Sequence, residues 1–390
     1  MTRHALIVVV LVAVISCAGC DKAELTAYGF TQAIAIDLLD DGQVAITTLF
    51  YNPSGNGEQG TKPDKKNGIR IRTEAPTLFE AVRDIPLLFG RKAKWDHMRV
   101  ILIGEEVARR KDVGEMLEFF YRDHEPRTTV PLLLTQGRAG DYLAVKPYIE
   151  NTIGQQLKRI EEMSVSYSAK TIRTRLLELA IELKSQTGIA TLPYLYRLPG
   201  TNEVAVSGVA LLKGGKLAGG VLSSARTRAL IMLLDEFENG VVDAPCGDPR
   251  GEGSSDERPG RESFEVLRLH SKLTPVLQGD ELTIRTRIEM TLSTNELRCS
   301  SIATPEEEKA FRSRIEESVD ANVRDIIAEL QRRRADAIGI GDRIYRRSPR
   351  RWKELKPQWD AIFASARVET SVKVDIISTG MSIGKPFSSR

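Results

Sequence analysis

The sequence predicts a mixed α/β to α+β protein in which sheets are packed with helices, and three stretches carry that expectation. From Leu282 to Leu292 apolar and polar residues alternate with period two, as in a half-buried strand, and Val368, Val372, Val374 and Ile376 repeat the pattern. Met98 to Ile103 is a continuous apolar run of strand length, the signature of a central strand covered on both faces. Thr304, Pro305, Glu306 and Glu307 supply an N-cap, a proline at the first helical position and acidic residues for the helix start. The helix they open is predicted over 305–337, on the order of 50 Å long at ~1.5 Å per residue. Its apolar face, Phe311, Ile315, Val319, Ile326 and Leu330, needs a sheet to cover.

Taken from the start, Ala5 to Ile15 is an apolar run behind Arg3, closed by the small residues Ser16 to Gly19 before Cys20. That order is an export signal, expected to occupy 1–19. The run is shorter than the roughly 18 apolar residues that cross a bilayer, and Asp21-Lys22 follow at once. Ala18-Gly19 before Cys20 resembles the lipobox of bacterial lipoproteins, which implies diacylation of the Cys20 thiol and cleavage before it. Two or more acyl chains make a lasting anchor where one is marginal.

A first domain is predicted over 20–198. Gly29 to Asp37 and Val44 to Tyr51 read as strands joined at Asp40-Asp41-Gly42, a hairpin. Asn52 to Gly68 is nearly free of apolar residues and reads as a loop. Ile69 to Thr73 is a short strand, and Thr77 with Glu80 opens a helix whose inner face is Leu78, Phe79, Val82 and Ile85. Glu105 begins a helix after the Met98 strand. Val113 to Tyr121 is a second helix with Met116, Leu117 and Phe120 inward, and Arg127 to Thr135 is strand-like. Helical spacing returns with Ile153, Leu157 and Ile160, then with Ile172, Leu176, Leu179 and Leu183. Pro193 to Asn202 reads as a joint.

Beyond it, 199–262 is predicted as a small ββα middle domain with linker: a hairpin around Gly214-Gly215, the helix Ala225 to Glu238, and the linker-like run Gly247 to Arg261. The terminal α+β domain is predicted over 263–390, built on the strands and long helix described above.

Composition bounds the function. The chain of 390 residues is long enough for two or three cores, and 41% hydrophobic with 28% charged residues is ordinary for folded protein. A net charge of +3 gives no global field for nucleic acid, from which export would in any case remove the chain. Cys246 and Cys299 stand 53 positions apart without a framework spacing, so a disulfide and two separate thiols are both open.

The run Ala335 to Phe363 closely resembles the signature of the germinant-receptor C subunits of endospore-forming bacteria, the Ger(x)C lipoproteins. The matching positions are Ala335-Asp336, Gly339, Gly341, Tyr345, Pro349, Trp352-Lys353, Leu355-Lys356, Trp359 and Phe363. Thr77 to Ala81, His97, Ile103 to Glu106, Arg122-Asp123, Ser207 to Ala210 and Lys216 to Gly219 agree in the same order. The resemblance implies an elongated three-domain extracytoplasmic lipoprotein without enzymatic activity. It implies a seat on the outer face of the inner spore membrane and action with two integral membrane subunits, of A and B type, in triggering germination. No cofactor is implied beyond the lipid on Cys20. The rival is a stand-alone extracytoplasmic solute-binding lipoprotein, which a deep cleft between two lobes would favour.

The stretch 332–356 holds ten Lys or Arg against three acids. Arg346, Arg347, Arg350, Arg351, Trp352, Lys353, Lys356 and, just beyond, Trp359 are the candidate surface for anionic headgroups or an acidic partner. A solvated helix end with buried tryptophans is the plain alternative. Gly339 and Gly341 lack the third glycine and the preceding strand of a dinucleotide motif, and read as a helix C-terminal turn. His97 and His124 have no further ligand at metal spacing, Glu105 and Glu106 favour a helix dipole, and no nucleophile motif is present, so no catalytic or metal residue is assigned.

Overall fold

A computed structural model describes residues 24–52, 68–246 and 260–378. The leader, Cys20, and nearly all of the loop at 52–68 and the linker at 247–261 lie outside the described residues.

The first sheet grows from β1 (Tyr28–Leu38), whose stretch Ala33 to Ile36 is wholly buried because helices lie on both faces. Gly42, at φ 88°, turns the chain into β2 (Val44–Phe50), which pairs antiparallel with β1 and with β3 (Ile69–Ala75). Thr77 then caps α1 (Leu78–Phe89) by accepting the Glu80 N–H. The short β4 (Lys92–Lys94) pairs with the start of β1, and β5 (Val100–Gly104) joins β1 in parallel. Three short helices follow, α2 (Glu105–Arg110), α3 (Val113–Met116) and α4 (Glu118–Arg122), where the sequence suggested two. β6 (Leu132–Thr135) extends the parallel run. α5 (Ile153–Met163) and α6 (Leu176–Leu183) lead to β7 (Ile189–Arg197), and β8 (Val204–Lys213) and β9 (Lys216–Leu217) finish it. The nine-stranded order is β3-β2-β1-β5-β6-β7-β8-β9, with β4 beside β1. Period two splits β1 and β5 between the faces. Ile34, Ile36, Ile101 and Ile103 pack with α1, α2 and α6, while Ala33, Ala35, Val100 and Leu102 pack with α5.

The second sheet follows α7 (Ser224–Leu234) and comprises β10 (Val241–Pro245), β11 (Arg261–Gln278), β12 (Glu281–Glu296) and, last, β13. Between β12 and its parallel neighbour β13 (Arg367–Ser378) runs the crossover that parallel pairing requires. It is made of α8 (Pro305–Arg332), α9 (Ile340–Arg347), α10 (Pro349–Leu355) and α11 (Trp359–Ala364). α8 lays Phe311, Ile315, Val319, Val323, Ile326 and Leu330 on the sheet residues Ile284, Ile288, Met290 and Leu292. The α+β expectation for the last third is met by this packing.

Four expectations are corrected. The joint at Pro193 to Asn202 is a hairpin tip: β7 and β8 pair antiparallel, so the segments divided at residue 198 share one sheet, because β7 finds its partner in the next strand of the chain. The long helix ends at Arg332, not Ala337. Arg334 takes φ 51°, with its N–H on the Gln331 carbonyl and that of Ala335 on Leu330, a Schellman closure made without glycine. Phe79 is 52% exposed, and Ala81 takes the inward place. Gly339 does not end a helix but begins one: at φ 67° it is the N-cap of α9.

Candidate functional site

The candidate site lies where the helices of the two sheets meet. A cleft of about 1050 Å³ lies between α6 and the end of α7 on one side and residues 336–346 on the other. Gln186 ties the two sides together, its N–H on Asp342 Oδ1 at 2.9 Å and its Oε1 taking the Trp352 indole N–H at 2.9 Å. Lys213 reinforces the seam, donating to the Arg334 carbonyl at 2.8 Å and pairing with Asp360.

The floor of the seam is Asp336, whose buried carboxylate takes the N–H groups of Ile340 at 3.0 Å and Gly341 at 2.7 Å at the start of α9. Burial pushes its pKa up to about 6, against the pull of those two hydrogen bonds. Gly341 is required by close approach: a Cβ there would stand 2.6 Å from Trp352 Cη2. Trp352 and Trp359 pack edge to face at 5.0 Å behind it.

The cleft walls carry both signs of charge. Glu178, Glu182, Glu236 and Asp342 line the cleft together with Arg173, Arg175, Arg343 and Arg346. Burial lifts the Glu182 pKa to about 7 although Thr191 donates to it through N–H and hydroxyl. Behind Arg173, Glu161 is buried and lifted likewise to about 7, with Arg173 Nε 3.9 Å away. The lining holds carboxylates, guanidinium groups and hydroxyls, and neither histidine nor cysteine is among its described residues.

Of the predicted surface, Arg346, Arg347, Arg350, Lys353 and Lys356 are exposed, and the first four make no ion pair among the described residues. α9 and α10 place them outward because Ile340, Ile344, Trp352 and Leu355 take the inward positions. Arg351 is turned sideways onto Asp280 and Glu354, both at 2.6 Å, and Lys356 reaches Gln186 at 3.3 Å. Trp352 and Trp359 are not surface residues: they are 1% and 5% exposed, since two adjoining indoles bury more apolar area in the seam than on a helix face. Cys20 lies outside the described residues.

His97 lies edge-on to Phe30, His124 is exposed, and Glu105 pairs with Arg109. Cys246 and Cys299 form a disulfide, their Cα atoms 5.7 Å apart. Beside it Glu262, fully buried, accepts the N–H groups of Arg298, Cys299 and Ser300. This trio is the one close group of three potential metal ligands among the described residues, and the disulfide and those hydrogen bonds consume it. Sequence reasoning missed Asp336, Glu161 and Glu262 as buried acids and Glu182 as a half-buried one. A single acid in an amphipathic pattern gives no sign of burial. Of the four, Asp336 alone stood among the positions that match the family signature.

Two family models match the chain: "Spore germination protein N-terminal domain" over residues 21–196 and "Spore germination B3/GerAC like, C-terminal" over residues 207–380. Their division falls at the β7–β8 hairpin, through which the sheet continues. Spore germination protein B3 of Bacillus subtilis (strain 168) is 23% identical over 381 residues, spanning 94% of this chain and 95% of the relative. Spore germination protein YndF of the same strain is 24% identical over 407 residues, 96% of each chain. The crystal structure of the GerBC protein shares the fold at a TM-score of 0.53 and 20% identity, over 88% of this chain and 96% of that one.

Proposed function

Because the chain belongs to the Ger(x)C family of spore germination proteins, we propose that it is a non-catalytic, lipid-anchored subunit of a nutrient germinant receptor, held at Cys20 on the outer face of the inner spore membrane. Its companions in this reading are two integral membrane subunits of A and B type. The leader order before Cys20 supports the anchor. No helix among the described residues is long and apolar enough to cross a membrane.

The observation that carries the reading is the row Arg346, Arg347, Arg350 and Lys353, four exposed cations without an ion pair on a rigid pair of helices seated in the seam. Such a row adds little to stability and suits an acidic surface on a membrane-embedded companion. Reversing Arg346, Arg347 and Arg350 to glutamate tests it. The expected result is loss of nutrient-triggered germination and of companion recovery from spore inner membranes, with thermal stability unchanged. Full germination and full recovery would refute it. Mass spectrometry of the mature amino terminus tests the lipid separately.

The cleft favours a second reading, a solute-binding lipoprotein acting alone, because arginines and carboxylates together line a cavity large enough for a small polar molecule. Calorimetric binding of an amino acid or sugar by the isolated protein, lost in Arg343→Ala, would select it.

A further inference from the structure

An apolar tip stands at the end of the first sheet where the described chain begins. Leu25, Leu87 and Leu88 are 75%, 79% and 66% exposed. The parallel pairing of Tyr28 with Lys92 puts the segments that carry them at the same end of the sheet. Leu25 sits in the turn that leads into β1, and α1 delivers Leu87 and Leu88 in its last turn. The next residue, Phe89, lies against Gly29 at the start of β1, where a Cβ would be 2.2 Å from its ring, and stacks on Phe50 at 4.3 Å. Gly90, at φ 67°, then reverses the chain so that Lys92 pairs in register with Tyr28. Arg91 and Lys92 are exposed and make no ion pair among the described residues.

A single exposed leucine is ordinary in a folded protein. Two in one helical turn, a third at the same end of the sheet and two cations without an ion pair among the described residues make the composition of a surface that lies in a membrane interface. The position of the chain's anchor names the occupant. Cys20 precedes Leu25 by five residues, which span at most about 17 Å when extended. A bilayer gripping Cys20 therefore lies within reach of this tip.

Resting on the lipid-anchor reading above, we infer that Leu25, Leu87 and Leu88 seat at the boundary between acyl chains and headgroups, with Arg91 and Lys92 against anionic headgroups. The protein then stands on the membrane by the tip of α1 in one orientation, and the receptor's other contacts are made from that stance.

The acylated full-length protein tests this in vesicles of phosphatidylcholine with phosphatidylglycerol. With Cys246 and Cys299 paired and Cys20 acylated, Leu88→Cys supplies a single free thiol for an environment-sensitive fluorophore, and Ile149→Cys, at a site 92% exposed, supplies the control. The expected result is a blue-shifted emission quenched by nitroxide-bearing lipid at position 88 and neither effect at 149. Arg91→Glu with Lys92→Glu should cut that quenching at least about twofold. An acylated protein whose label at 88 stays as wet as at 149 overturns the inference and leaves the anchor standing. A blue shift without quenching by lipid overturns it too, because protein then covers the tip. If mass spectrometry finds the chain unacylated the anchor is overturned, and the label is then read with Cys17→Ser and Cys20→Ser added, so that the thiol at 88 is again the single free one and lipid quenching there supports the tip.

Discussion

Glu262→Gln tests the tie that closes the C-terminal body. Burial alone would push the Glu262 pKa up, but hydrogen bonds from the Ser300 hydroxyl and from the N–H groups of Cys299, Arg298 and Ser300 outweigh it and hold the pKa below the ordinary value. Its Oε1 takes the N–H groups of Arg298 and Cys299 at 2.8 Å and of Ser300 at 2.7 Å, while Oε2 meets the Ser300 hydroxyl and Arg314 Nη2, the latter at 3.2 Å. Glutamine keeps the volume and one acceptor oxygen. Its NH2 group, however, faces Arg314, which has nothing to accept with. A hydrogen bond to a charged group is worth about 1.5–3 kcal/mol, and a buried donor left unmet costs about 1–3 kcal/mol. Arg314 is 29% exposed, so water recovers part of its share. The net expectation is a loss of about 3 kcal/mol, a fall in Tm of roughly 6–12 °C for a body of this size.

Scanning calorimetry at neutral pH measures the fall, with the disulfide verified intact. The pH dependence supplies the sign. A carboxylate with a depressed pKa contributes stability above its ordinary value of 4.5 and loses it as pH falls through the folded pKa. The gap between wild type and variant should therefore shrink in acid. A Tm within about 1 °C of wild type at pH 7, or a gap that widens in acid, would refute the reasoning.

Replacing Cys246 and Cys299 together by alanine opens a loop set by their separation of 53, which chain entropy values at about 4 kcal/mol; denaturant unfolding showing under about 1 kcal/mol would count against it. Asp336, pushed up to about 6 from 3.8, binds its proton more tightly when folded, so it makes stability fall as pH rises from about 4 through 6. Asp336→Asn should flatten that part of a Tm-against-pH curve, and an unchanged slope would contradict the assignment. Glu182, pushed up to about 7 from 4.5, extends the decline to neutral pH, and Glu182→Gln should remove the extension in the same measurement. Arg334→Gly relieves a left-handed backbone at the end of α8 and should stabilise by about 1 kcal/mol in urea unfolding; destabilisation would mean that the Arg334 side chain carries a contact of its own.

Local chemistry made much of the fold legible. The caps at Thr77 and Thr304, the turn at Gly42, the buried run at Val100 to Ile103 and the alternation in β12 each act within a few residues, so periodicity and turn residues suffice to read them. The end of α8 was not legible because Arg334 takes a conformation that usually falls to glycine. The hairpin tip near residue 198 looked like a joint because Pro, Gly and Asn serve turns and linkers alike.

Sequence alone determined the family, the element types along most of the described chain and the basic character of 332–356, since these depend on residue identity and order. Tertiary packing decided which of those cations stay free and which pair, as Arg351 does with Asp280 across 71 positions, and it drew Trp352 and Trp359 inward. It also lifted the proton affinities of Asp336, Glu161 and Glu182 and brought Cys246 to Cys299. The reason is common to all of these: burial and long-range proximity arise from how distant segments stack, and no window along the chain contains them.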